Sequence, residues 1–122
     1  REEMPMFYNI ADFLICFINP TFARQCSSPT KIAEALSSNT PIICNKGVGD
    51  MDLIIRILKV GELIDLSNKN KITEFSEKIN TLSKKYDNLN IRDISRKYFH
   101  LEFAYKEYEC IYNKFNIYEK KI

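Results

Sequence analysis

The sequence predicts an α/β fold built on a thin parallel sheet, and three observations point to it. The runs Phe13–Ile18 and Ile42-Ile43-Cys44 are apolar without alternation, the pattern of strands covered on both faces. Each is followed by a stretch with helical start signals, Pro29-Thr-Lys-Ile-Ala-Glu-Ala-Leu and Asp50-Met-Asp-Leu-Ile-Ile. A third short run, Glu62–Leu66, completes an order β-α-β-α-β, which right-handed crossovers turn into a parallel sheet.

The elements follow in chain order. Pro5 to Ala11 reads as a short helix, with Met6, Phe7 and Ile10 at helical spacing. Phe13–Ile18 is the first strand, and Asn19 to Ser28 is irregular, holding Pro20 and two serines. Ser27 or Ser28 is the expected N-cap of the next helix, with Pro29 at its first position. Thr40-Pro41 ends that helix, and Ile42-Ile43-Cys44 is the second strand. Gly47-Val-Gly49 makes a tight turn, Asp50 is placed to cap the helix Met51–Lys59, Gly61 closes it, and Glu62–Leu66 is the third strand.

From Asn68 onward the strands stop. Ile72, Phe75, Ile79 and Leu82 form one stripe of an amphipathic helix. A break at Asp87–Asn90 leads to a helix near Ile91–Tyr98, and a last helix carries Leu101, Ala104, Tyr105, Tyr108, Ile111, Tyr112 and Phe115. The whole is a Rossmann-like sheet fragment of about three strands, with helices on both faces and a helical tail. An ordinary doubly wound domain has five or six strands, so the expectation is the back half of a larger α/β domain.

Composition excludes several classes. At 45% hydrophobic and 28% charged, the 122 residues are globular rather than disordered. A net charge of +2 is too small to point to nucleic acid. Six basic and eight acidic side chains lie in residues 1–66, against twelve and eight in 67–122, which leaves the front half neutral and the tail mildly basic. The longest apolar run is strand-sized, so no transmembrane segment is expected, and no charged-then-apolar stretch follows Arg1, so no secretory leader is expected unless one was removed or lies upstream. Cys16, Cys26, Cys44 and Cys110 match no zinc or redox spacing, so reduced cysteines, a cytoplasmic location and no metal are expected.

The chemistry concentrates in Cys26-Ser-Ser-Pro-Thr-Lys-Ile-Ala-Glu34, a loop leaving the carboxyl end of a strand and entering a helix. Ligands of open α/β sheets bind there. The first free N–H groups, of Thr30 and Lys31, form an anion site assisted by the helix dipole. Glu34, four residues past Thr30, is expected to face the same ligand and accept hydrogen bonds from vicinal hydroxyls. By helix-start statistics alone, Ser-Pro-Thr is more often a capping sequence and Glu34 a solvated residue.

Together with Pro41-Ile-Ile and Gly47-Val-Gly49-Asp50, these residues resemble the retaining glycosyltransferases of two facing Rossmann-like domains, the GT-B architecture of glycosyltransferase family 4. That family carries a Glu, seven residues, a second Glu, then small-Gly-x-Pro-Val-Val/Ile and a Gly-rich loop. Glu34 falls on the second glutamate. Ala11-Asp12 and the tail Lys97–Glu102 also fit, so the resemblance spans nearly the whole chain.

The resemblance implies a donor site for a nucleotide-diphosphate sugar and no cofactor or metal. Glu34 would hold the ribose, the amides of Thr30 and Lys31 the diphosphate, and Cys26, Ser27 and Ser28 would lie at the donor sugar. It implies residues 1–66 as a partial donor-binding region and 67–122 as helices that complete the domain and reach towards a missing N-terminal domain of the same chain. This piece alone would then be inactive. The parent would work in polysaccharide or glycoconjugate synthesis, in the cytoplasm or peripherally at the inner face of the membrane.

Two residues depart from the pattern. The first family glutamate falls on position 26, which is Cys26, and a thiol does not replace a carboxylate on sugar hydroxyls. Asn39 stands for the glycine after the helix, a mild change because Asn tolerates a left-handed backbone. Elsewhere, His100 reads as structural or solvated, and Lys84-Lys85 and Lys120-Lys121 read as solvated helix ends. Tyr98, Tyr105, Tyr108, Tyr112 and Tyr118 read as a packing surface. The alternatives are a degenerate, non-catalytic module for binding or assembly, which Cys26 favours, and a sugar-nucleotide epimerase of the same architecture.

Overall fold

The computed structural model of the chain describes residues 2–119, with side chains through Phe115. Lys120-Lys121 and the Tyr118 side chain lie outside the described residues. Three strands, β1 (Leu14–Cys16), β2 (Ile42–Asn45) and β3 (Gly61–Ile64), form one parallel sheet in the order β1-β2-β3. Around it lie α1 (Met4–Ile10), α2 (Thr30–Ser37), α3 (Met51–Leu58), α4 (Lys69–Tyr86), α5 (Ile91–Phe99) and α6 (Leu101–Glu119). The expected α/β architecture, a Rossmann-like parallel sheet with helices around it and a helical tail, is the one observed.

The core forms where the apolar runs meet. β2 is central and buried along its whole length. Ile42 and Cys44 pack with Ile32 and Leu36 of α2 and with Met51, Ile54, Ile55 and Leu58 of α3. Tyr86 and Ile91 close the cluster from the α4–α5 junction. Tyr86 also packs edge-on against Phe13, with ring centroids 5.8 Å apart, and donates its hydroxyl to Glu62 Oε1 at 2.6 Å. Lys85 Nζ reaches the same oxygen at 2.6 Å.

Several elements differ from the sequence expectation for identifiable reasons. β1 is three residues long and covered on one side only, with Ile15 54% exposed. It is an edge strand, and among the described residues nothing pairs with its free side. The irregular stretch contains a 3-10 turn, Phe22–Cys26. Neither Ser27 nor Ser28 caps α2: the helix begins at Thr30, so Pro29, with ψ 119° and no side-chain bond, holds the N-cap position. The far end of α2 closes through Asn39 at φ 65°, as the asparagine there suggests.

At α3, Asp50 is the N-cap residue but makes no side-chain cap bond; Asp52 instead accepts from Gly47 N–H at 3.2 Å. Gly61 does not close α3. Lys59 does, in the left-handed conformation at φ 55°, and Gly61 opens β3 because a Cβ there would sit 2.1 Å from the Ile42 carbonyl oxygen. Asn68 and Asn90 cap α4 and α5 through their side chains. The aromatic stripe of α6 is exposed at Tyr105, Tyr108, Tyr112 and Phe115, and the packing surface expected there is one towards a missing N-terminal domain.

Candidate functional site

The loops that leave β1 and β2 converge at the carboxyl end of the sheet, and a buried asparagine locks them together. Asn45, the last residue of β2, accepts from Ile18 N–H at 2.7 Å and donates to the Ile18 carbonyl at 2.8 Å and that of Lys46 at 3.0 Å. One side chain thus fixes the chain as it leaves β1. The Gly47-Val-Gly49 turn then rests on the β1 loop. A Cβ at Gly49 would lie 2.0 Å from the Ser27 carbonyl oxygen, and its φ is +50°, so only glycine fits that contact without strain. Gly49 N–H donates to the Arg24 carbonyl at 3.1 Å, anchoring the 3-10 turn.

This locked loop forms one wall of a cavity of about 450 Å³ whose other wall is β1 and the residues after it. Arg24, Ser27, Thr30, Lys31 and Cys16 line it. Ile32 is the first residue of α2 to bond within the helix, to the Pro29 carbonyl at 3.1 Å. The N–H groups of Thr30 and Lys31 therefore precede the helical ladder. Arg24, Lys31 and the start of α2 thus border one cavity, an arrangement of the kind that can attract an anion. Cys16 forms part of the floor; burial pushes its thiol up from the ordinary value, opposed by the Lys31 ammonium.

The expected site residues are only partly brought together. Ser27, Thr30 and Lys31 share the cavity, while Cys26 and Ser28 are exposed beside it. Glu34 does not face it. Glu34 lines a second concavity of about 580 Å³ with Tyr8, Asn9, Ala33, Ser37 and Arg92. There its carboxylate accepts from the Tyr8 hydroxyl at 3.2 Å. Burial, reinforced by the Glu34 contact, pushes the Tyr8 phenol above its ordinary value. The residue four positions along α2 has turned towards α1, which the helical spacing alone did not anticipate.

Two residues that shape this candidate site were not singled out from the sequence. Arg24 lines the cavity from the 3-10 turn, and its only sequence signal is a cation inside a loop that follows a strand. Asn45 carried a clearer signal, a polar residue ending an apolar strand where loops converge. Arg92 supports the second concavity: its Nε donates to the Ser37 carbonyl at 2.6 Å, and its N–H to Asn39 Oδ1 at 3.2 Å.

Among the described residues no group of three His, Cys, Asp or Glu side chains is placed to hold a metal ion, and no helix is long and apolar enough to cross a membrane. What fold and cavity define is an α/β chain with a cavity beside β1 that Arg24 and Lys31 line. No protein-family model, curated protein or solved structure matches the chain.

Proposed function

We propose that this chain is the donor-binding portion of a GT-B-type retaining glycosyltransferase, acting on a nucleotide-diphosphate sugar without a metal. The observation that carries this reading is the cavity where Arg24, Lys31 and the free N–H groups of α2 converge beyond β1. A leaving diphosphate gathers negative charge, and fixed dipoles with two cations stabilise that charge without reorganisation. Ser27 lies on the same wall, where a donor sugar attached to the diphosphate would reach. In this reading the base-binding strands belong to the missing front half of the same donor domain and the acceptor site to a separate N-terminal domain, and the parent protein would work in polysaccharide or glycoconjugate synthesis on the cytoplasmic side.

One observation favours a second reading. Glu34 is bonded to Tyr8 and lines the other concavity, and Cys26 holds the place of the family's first glutamate. Both suit a degenerate module that keeps an anion site and has lost the donor-sugar contacts. Calorimetric titration of the full-length parent protein with nucleoside diphosphates and nucleotide sugars, beside Glu34→Ala, separates the two. Loss of a charged hydrogen bond to ribose costs about 1.5–3 kcal/mol, roughly ten- to a hundredfold in affinity. A nucleotide that binds and loses that much in the variant supports the glycosyltransferase reading. Nucleotide binding unchanged in Glu34→Ala supports the degenerate module, and no nucleotide binding removes the donor-site reading altogether.

A further inference from the structure

Cys16 and Cys44 are register partners on neighbouring parallel strands. Side chains of paired residues stand on the same face of a sheet, and adjacent strands run about 4.8 Å apart. That spacing falls within the range of about 4.4–6.8 Å between Cα atoms joined by disulfides. Both thiols are free, and they differ sharply in access: Cys16 is half-buried and lines the cavity that Arg24 and Lys31 border, whereas Cys44 is fully buried. The other two cysteines, Cys26 and Cys110, are exposed and lie outside the described strands.

We propose that Cys16 and Cys44 are a redox pair, in which an oxidising low-molecular-weight disulfide enters the cavity and is exchanged for a bond between β1 and β2. The Cys16 thiolate attacks one sulfur of the reagent, forming a mixed disulfide and releasing the other half as a thiolate, which takes up the proton that Cys16 gave to solvent. Cys44 then attacks the Cys16 sulfur, its proton passing to the second departing thiolate. The balance is two protein thiols and one small disulfide converted to one protein disulfide and two small thiols. Cys44 is shielded from reagents, and burial with the nearby Asp52 carboxylate pushes its thiol up to about 12. Only a sulfur already held at Cys16 is close enough to react with it, so the order of the two steps is fixed by access. The bond would tie the edge strand to the central one directly beneath that cavity.

The test uses the chain carrying Cys26→Ser and Cys110→Ser, incubated with oxidised glutathione under native conditions, with folding verified by circular dichroism. The expected product has lost both free thiols, carries no glutathione, and yields a peptide linking Leu14–Cys16 to Ile42–Asn45. Adding Cys44→Ala should stop the reaction at a glutathione adduct on Cys16. A glutathione adduct as the final product with Cys44 present, or two thiols left intact, would overturn the proposal. Neither result bears on whether the cavity binds a nucleotide.

Discussion

Asn45→Ala tests how the cavity is held. The native side chain makes three hydrogen bonds, to Ile18 N–H, Ile18 carbonyl and Lys46 carbonyl, at 2.7, 2.8 and 3.0 Å. Asn45 is 2% exposed, so water does not replace these bonds freely. Each is worth about 0.5–1.5 kcal/mol, and a buried polar group left unpaired adds its own penalty. The sum is a loss of about 2–4 kcal/mol, a large fraction of the roughly 5–15 kcal/mol that holds a domain together. With a urea dependence of about 1–3 kcal/mol per molar, the midpoint followed by circular dichroism should fall by about 1–2 M with an unchanged slope. Asn45→Asp should lose a comparable amount, because a carboxylate accepts from Ile18 N–H but donates to neither carbonyl. A midpoint within about 0.3 M of wild type for Asn45→Ala would refute the claim that this side chain locks the two loops.

Three further outcomes follow from the same geometry. Gly61→Ala places a Cβ 2.1 Å from the Ile42 carbonyl oxygen, a backbone atom that cannot swing aside, and should destabilise the sheet by about 3 kcal/mol or more in urea unfolding; a neutral result would mean that β2 and β3 are not so closely paired. The Tyr86 phenol is raised from 10.0 to about 12, first by burial and then by its bond to Glu62. A raised value stabilises the fold fully below pH 10 and ceases to do so as pH climbs through about 12, so the stability gap between wild type and Tyr86→Phe should be constant to about pH 10 and close above it. Inorganic pyrophosphate should slow alkylation of Cys16, on the cavity floor, while leaving exposed Cys26 unaffected, as read by mass spectrometry of the modified peptides; equal rates with and without pyrophosphate would place the anion elsewhere.

The parallel sheet was legible because β2 announces itself: Ile42-Ile43-Cys44 is a continuous apolar run, and it became the fully buried central strand. The left-handed end of α2 was legible in Asn39. The same logic overreached at Phe13–Ile18, where an equally apolar run leaves Ile15 and Phe17 exposed, because composition registers hydrophobicity and not whether a covering element is present. Gly61 was misassigned since a glycine after a helix suits a cap as well as a close backbone approach, and only the neighbouring Ile42 carbonyl decides between them. In the site, the start of α2 was readable from Pro29-Thr30-Lys31, while the direction of Glu34 was not. Tyr8, 26 residues away in sequence, draws that carboxylate to the other concavity, and no local spacing records so distant a partner.

The central claim is that Arg24, Lys31 and the start of α2 form one anion site. Calorimetric titration with inorganic pyrophosphate at low ionic strength, on wild type and on Arg24→Ala/Lys31→Ala, tests it most directly. Each charged hydrogen bond to an anion is worth about 1.5–3 kcal/mol, so the double variant should bind at least about a hundredfold more weakly, and added salt should weaken the wild type towards it. Equal affinity in the two proteins, or no saturable binding by the wild type, would contradict the account.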